Sequence, residues 1–290
     1  MNRRIFVKTL GAAGITCETA LSAPKRLPSA DRMGVLVDTT VCIGCRKCEW
    51  ACKKEHGFVT PPIQSFEDRS VFEKKRRPDT QSLTVVNQYS QADAAVSPTT
   101  VKVQCMHCDY PACVSACIVG AFTKTDLGPV LWDTGKCIGC RYCMVACPFQ
   151  MPSFEYSNAL SPAVVKCDFC SHRLTRGQPP ACVEVCPVEA LTFGRRSELI
   201  TAGREKIRRD PDRYGTLIYG EVEGGGTSFL YLASRDFASL DFPKLEASPM
   251  PGTSESIQHG IFAYFVPPVM LYALLGALMW ITKRKHEPVS

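Results

Sequence analysis

Cys137-Ile138-Gly139-Cys140-Arg141-Tyr142-Cys143-Met144-Val145-Ala146-Cys147-Pro148 is the stretch that decides the fold of this chain. Its four cysteines fall within eleven residues and are spaced C-x2-C-x2-C-x3-C. The same spacing recurs at Cys42, Cys45, Cys48 and Cys52. Two looser groups, Cys105, Cys108, Cys113, Cys117 and Cys167, Cys170, Cys182, Cys186, end with the same C-x3-C step. Together the four groups use sixteen of the seventeen cysteines in 290 residues.

A structural zinc site takes four ligands, usually from two separated C-x2-C pairs, and a run of four cysteines in eleven residues overfills it. Disulfides need a defined separation and orientation of their partners, so such tight runs are poor staples even in an exported chain. The run suits iron–sulfur ligation, in which the first three cysteines hold one cluster and the fourth reaches a neighbouring one. Gly139 eases the loop that lets Cys137, Cys140 and Cys143 take three corners of a cube, and Cys147 is expected to begin a helix pointing away. Sixteen thiolates in fours match four 4Fe–4S clusters, so all sixteen cysteines are read as cofactor-binding iron ligands. None is replaced by Trp or Asp, and nothing implies a 3Fe–4S site. Lys53 and Ile118 stand after Cys52 and Cys117, where such runs often have Pro, which concerns only the local turn. Cys17 stands apart and reads as part of a targeting segment, since Gly14-Ile15-Thr16 fits a lipoprotein acceptor site poorly.

The groups come in two kinds. Gly34-Val35-Leu36-Val37-Asp38 precedes the first, and Gly128-Pro129-Val130-Leu131-Trp132-Asp133 precedes the third. Each reads as a short strand ending in Asp, then three residues, then Cys-Ile-Gly-Cys-Arg. The second and fourth share Pro-Ala-Cys-Val-x-x-Cys and are followed by the strand-like Ala121-Phe122-Thr123 and Ala190-Leu191-Thr192-Phe193. This internal duplication predicts an α+β fold of two interlocked bacterial-ferredoxin-like modules with insertions. The expected organisation is a signal region at 1–30, a four-cluster double ferredoxin domain at 31–200 with an insertion at 53–104, an extension and linker at 201–255, and an anchor at 256–290. The insertion is polar and turn-rich; its Lys74-Lys75-Arg76-Arg77 lacks the interleaved aromatics of a nucleic-acid surface and reads as a solvated loop or docking face. Gly224-Gly225-Gly226 lacks the endings of a phosphate-binding loop and reads as a flexible turn.

A net charge of +6 says little by itself, but the two ends are informative. Asn2-Arg3-Arg4-Ile5-Phe6-Val7-Lys8 precedes a weakly apolar stretch, the pattern of a twin-arginine export signal. No charged side chain occurs between Glu255 and Lys283, and residues 261–281 are almost continuously apolar, so one C-terminal transmembrane helix is expected. Tyr264 and Trp280 lie near its ends, Pro267-Pro268 would kink it, and Lys283-Arg284-Lys285 follows at once. The positive-inside tendency then leaves the C-terminus cytoplasmic and the cluster domain on the periplasmic side of the inner membrane. No nucleophile–base set is present, so no residue is read as catalytic.

In its cysteine groups, its paired arginines and its C-terminal apolar stretch, the chain resembles the four-cluster iron–sulfur subunits of the dimethyl-sulfoxide-reductase and formate-dehydrogenase superfamily. Within it, the HybA type of electron-transfer subunit, from periplasmic membrane-bound nickel–iron hydrogenase, is most similar. Gln104-Cys105-Met106-His107-Cys108, residues 137–148, Ala181-Cys182-Val183-Glu184-Val185-Cys186-Pro187, residues 219–227 and Ser256-Ile257-Gln258-His259 carry the likeness. The resemblance implies that the motifs interlock first with fourth and second with third. The ligand sets would be Cys42, Cys45, Cys48 and Cys186; Cys52, Cys167, Cys170 and Cys182; Cys105, Cys108, Cys113 and Cys147; and Cys117, Cys137, Cys140 and Cys143. It also implies a non-catalytic relay between catalytic oxidoreductase subunits, those of a nickel–iron hydrogenase, and an integral membrane quinone-reactive subunit. The alternatives are the same relay for a molybdopterin oxidoreductase and an assembly protein whose clusters only hold the fold. Around the ligands, His107 reads as a packing or surface residue, the alternative being a hydrogen bond to a cluster sulfide that tunes its potential, and Trp50, Tyr142 and Phe169 read as shields of the clusters. Arg46, Lys47 and Arg141 read as offsets to cluster charge or as solvated surface.

Overall fold

Met33-Gly34-Val35-Leu36-Val37-Asp38 is an apolar, β-favouring run that ends at turn residues, and it forms β1, Met33–Asp38. The computed structural model describes residues 32–90, 97–157 and 163–284. The expected export signal with Arg3 and Arg4, Cys17, and the tail from Lys285 lie outside the described residues. After β1 come α1, Lys47–Glu55, two 3-10 turns at Ile63–Glu67 and Ser70–Glu73, and the strands β2, Thr84–Tyr89, and β3, Thr99–Gln104. Then follow α2, Ala112–Ser115; β4, Phe122–Lys124; β5, Val130–Trp132; and α3, Tyr142–Ala146. β6, Ser153–Phe154, and β7, Val164–Val165, lead to α4, Ser171–Leu174, and α5, Ala181–Glu184. The chain continues through β8, Leu191–Arg195; α6, Arg196–Arg209; β9, Phe229–Leu232; and α7, Gly252–Arg284.

The duplicated lead-ins and follow-ons become paired strands. β1, before the first cysteine group, pairs antiparallel with β8, after the fourth, with Val35 opposite Phe193. β5, before the third group, pairs antiparallel with β4, after the second, with Phe122 opposite Trp132. The sheet ladders therefore join first with fourth and second with third. The segment after residue 200 supplies β9, which pairs parallel with β1 to complete the order β8-β1-β9. Phe229, Tyr231, Phe237 and Leu240 from this segment lie in the same apolar core as Val35 and Val37. The insertion packs as the antiparallel hairpin β2–β3, whose Val85, Val86 and Val101 are buried.

The triple glycine is a fitted turn and not a flexible one. Gly224 donates its N–H to Glu246 O at 2.7 Å, and Gly226 donates to Glu223 O at 3.1 Å. Gly226 adopts φ +98°, and a Cβ there would lie 2.7 Å from Asp109 Oδ2. The close approach is needed because Asp109 is a buried hub that pairs with Arg32, with Lys124 at 3.6 Å and with Arg196 at 3.8 Å.

Asp38 at the end of β1 ties that strand to α6 and the loop after it. Its carboxylate accepts from Thr40 Oγ1 at 2.7 Å, Lys206 Nζ at 2.9 Å and Tyr214 Oη at 2.9 Å. Burial would raise its pKa, but these donors outweigh it and hold the carboxyl below its usual value of 3.8. A lowered carboxyl contributes stability that is present above the unfolded-state pKa and lost as pH falls through the folded one. Asp38→Asn is expected to cost about 1.5–3 kcal/mol near neutral pH. In denaturant melts at several pH values, the gap between the two proteins should close as pH drops below 3.8.

α7 runs for 33 residues with Pro267 and Pro268 inside it. The sequence predicts a transmembrane helix here; among the described residues no helix is long and apolar enough to cross a membrane. The side chains of residues 267–282 in α7 are exposed.

Candidate metal centres

A rise of about 1.5 Å per residue separates residues four apart on a helix by one turn, roughly 6 Å. Each C-x3-C step uses that geometry to serve two centres at once. Cys48 and Cys52 lie on α1, and Cys113, Cys143 and Cys182 lie on α2, α3 and α5, with Cys117, Cys147 and Cys186 just past the helix ends. α1 packs on α5 and α2 packs on α3, so each helix pair places its C-x3-C steps side by side.

The thiols gather in four groups that cross the sequence motifs. Cys42, Cys45, Cys48 and Cys186 line one cavity. Cys52, Cys167, Cys170 and Cys182 line a second. Cys108 lies within the electrostatic reach of Cys105, Cys147 and Cys113. Cys143 stands in the same relation to Cys137, Cys140 and Cys117. The structure thus brings all sixteen sequence-predicted cysteines together in fours.

Cys147 does not begin a helix; it ends one. α3 stops at Ala146, and Cys147 is extended at φ −79°, ψ 113°. Pro148 disfavours helical backbone at the residue before it, which turns the chain out of the helix. The loops before the helices take left-handed backbone, with Gly44 at φ +69° and Gly139 at φ +70°. His107 at φ +49° and Phe169 at φ +63° hold the equivalent bend in Cys-Met-His-Cys and Cys-Asp-Phe-Cys.

Burial pushes the thiols of Cys48, Cys108 and Cys167 far above the usual range, and neighbouring thiols push the same way. Burial likewise raises Cys113 to about 12 and Cys143 to about 11. Such crowded sulfurs become thiolates only when a strongly cationic group is bound among them, which is the chemistry of an iron–sulfur donor set. An orphaned donor fits the same group. His107 is fully buried, and its Nδ1 accepts the N–H of Val130 at 2.9 Å. Burial, with the charges of Lys166, Lys124 and Lys102, keeps the ring neutral, so its proton sits on Nε2. Nε2 has no hydrogen-bond partner among the described residues. An N–H beside Cys105 and Cys108 that lacks a protein acceptor is suited to a cluster sulfur. His107 is therefore not a surface residue; it stacks on Phe169 with ring centroids 5.0 Å apart.

Several neighbours differ from their sequence reading. Phe169 is 1% exposed and lines the second cavity, whereas Tyr142 is 47% exposed. Arg46 does not face solvent: it is buried, lines the first cavity and pairs with Glu49 at 3.2 Å. Arg141 is exposed and lies over the rings of Phe154 and Tyr156. Sequence reasoning missed His56 and Asp168 beside the second group. His56 Nε2 donates to Asp168 at 2.8 Å, and Nδ1 donates to Cys52 O at 2.8 Å. Burial opposes a charged ring there, but Asp168 and Cys52 raise it to about 11. It also missed Lys102, a lysine only 3% exposed whose only local sign was its alternation with Val101 and Val103 in a strand.

Comparison with known proteins shows the family. The family model for a 4Fe–4S dicluster domain matches residues 97–196. Hydrogenase-2 operon protein HybA of Escherichia coli O157:H7 is 32% identical over 328 residues, covering 99% of this chain and 98% of that protein. The chain belongs to the HybA family of iron–sulfur subunits. A protein of Nitratidesulfovibrio vulgaris is 48% identical over 297 residues, covering 99% of the chain and 78% of that protein. The formate dehydrogenase-O iron–sulfur subunit of Escherichia coli strain K12 is 32% identical over 217 residues, covering 72% and 69%. This HybA-type chain is an iron–sulfur electron-transfer subunit of an oxidoreductase complex, and it binds 4Fe–4S clusters.

Proposed function

We propose that this HybA-type chain relays electrons through four 4Fe–4S clusters between a periplasmic nickel–iron hydrogenase and a quinone-reactive membrane subunit. The observation that carries the reading is the gathering of sixteen thiols into four groups joined by shared helices. The ligand sets are Cys42, Cys45, Cys48 and Cys186; Cys52, Cys167, Cys170 and Cys182; Cys105, Cys108, Cys113 and Cys147; and Cys117, Cys137, Cys140 and Cys143. Bound clusters supply one-electron chemistry; the chain holds them, dries their surroundings and sets their local charge. The match to HybA over nearly its whole length supports a hydrogenase as the catalytic partner.

Export by the Arg3-Arg4 signal suits a chain whose clusters are assembled before transport. The signal region, the cluster domain with its insertion, and the anchor are its working parts. α7 tethers the chain, with its basic end in the cytoplasm. Val269, Leu271, Leu274, Leu278 and Trp280 are exposed apolar side chains on several faces of that helix, which is the composition of a helix made for lipid and not for water. A molybdopterin oxidoreductase is the second reading, favoured by the likeness to the formate dehydrogenase-O subunit.

Affinity purification of the full chain from native membranes separates these partners. A nickel-containing enzyme is the expected companion; a molybdenum-containing one would overturn the hydrogenase reading in favour of the second. Clusters that cannot be reduced and reoxidised would favour a structural role instead. Removal of residues 261–281 should release the chain from membranes and abolish coupling to quinone, and continued quinone reduction would remove the tether from the mechanism.

A further inference from the structure

Lys102 lies on β3 at a junction. It lines the cavity of Cys42, Cys45, Cys48 and Cys186, and also that of Cys52, Cys167, Cys170 and Cys182. Its Nζ donates to Gln104 Oε1 at 2.8 Å and sits 5.5 Å from the centroid of the Phe229 ring. Gln104 is held in turn, its amide donating to Tyr231 Oη at 2.6 Å, and Tyr231 Oη donates back to Lys102 O at 2.8 Å. Lys102, Gln104, Phe229 and Tyr231 are each at most 3% exposed.

A buried ammonium is costly unless something negative answers it. Neither the Gln104 carbonyl oxygen nor the Phe229 ring carries a full charge. Sulfurs of both thiol groups line the two cavities with Lys102, and no carboxylate among the described residues lines either one. Lys124 makes the contrast clear: it lies near Cys108 and Cys105, but Asp109 stands 3.6 Å from its Nζ. The charge of Lys102 is therefore answered by sulfur from two centres at once.

We propose that Lys102 is a potential-setting residue, a fixed positive charge between the first and second thiol groups that favours the reduced state of the two clusters those groups hold. Adding an electron to a cluster adds negative charge, and in a dry interior a nearby cation stabilises that charge far more than it would in water. The third and fourth groups do not share the lysine and keep their potentials. The effect is to make one half of the relay easier to reduce than its own ligands would. The inference rests on the relay reading above and goes beyond it by dividing the four clusters into a pair that shares Lys102 and a pair that does not.

The test is a redox titration of the full chain followed by EPR, with iron and sulfide measured on each sample. Lys102→Met should lower two of the four midpoints by at least tenfold in the reduction equilibrium, about 59 mV for one electron, and leave the other two in place. Lys102→Arg, which keeps the charge, should hold all four near the parent values. Full iron in Lys102→Met with no midpoint moved, or all four moved equally, would overturn the proposal while leaving the relay intact. If Lys102→Met fails to fold or loses iron, Gln104→Glu decides: a carboxylate set against Nζ should lower the same two midpoints, and unmoved midpoints would overturn the proposal. A parent chain without iron would overturn both readings together.

Discussion

Serine in place of Cys147 is expected to remove the cluster shared with Cys105, Cys108 and Cys113, while the cluster of its own sequence run survives. A hydroxyl is a poor substitute for a soft thiolate at iron. Changes beyond the direct ligands already cost ~10–100-fold in metal affinity or activity, so losing a ligand should cut electron transfer through the chain by at least that factor. The iron content should fall by about a quarter, one cluster's share of four. The physical basis is the C-x3-C step across α3: Cys143 faces Cys117, Cys137 and Cys140, whereas Cys147, past the helix end, faces Cys105. EPR of the reduced variant checks this. Loss of the signal that is also lost in Cys140→Ser would contradict the crossing; loss of the signal shared with Cys108→Ser would agree with it.

Glu49→Ala should be the most damaging single change outside the ligands, at about 3–5 kcal/mol, the cost of breaking a buried ion pair. The Glu49 side chain is 3% exposed and receives Arg76 at 2.6 Å, Arg46 at 3.2 Å and the N–H of Val86 at 2.6 Å. Arg46 also donates to Asp68 O at 3.2 Å. One carboxylate thus fastens α1, which carries Cys48 and Cys52, to the β2–β3 hairpin and to the 3-10 turns of the insertion. Removing it leaves two guanidinium groups without their carboxylate in or near the core. Chemical denaturation of the iron-loaded chain measures the loss, and iron should leave the first two centres at lower denaturant than in the parent. A change below 1 kcal/mol, the range of exposed pairs, would show that the clamp is solvated.

Much of the fold was legible because its signals are local. The C-x3-C step fixes which cysteines stand about one helical turn apart, and the duplicated lead-ins and follow-ons became β1, β4, β5 and β8. The parts that were not legible depend on residues far apart in sequence. Nothing near Phe229 announces that it will pair with Val35, almost two hundred residues earlier, to make β9 the parallel neighbour of β1. Glu49 looks like any charged residue of a polar helix until Arg76 arrives from the insertion. Lys102 looks like the outward residue of an alternating strand, yet it turns inward because two crowded sulfur sites lie beneath the hairpin. His107 sits in a loop whose surroundings come from β5 and from the Cys167 loop, so its burial had no local sign. Cys147 is the opposite case: Pro148 carried the signal that ends the helix, and the expectation of a helix beginning there overlooked it.

Iron and acid-labile sulfide per chain, measured on protein assembled and handled without oxygen, test the four-cluster relay most directly. About sixteen of each is the predicted result, one cube for each group of four thiolates. About eight of each, or zinc in place of iron, would contradict it.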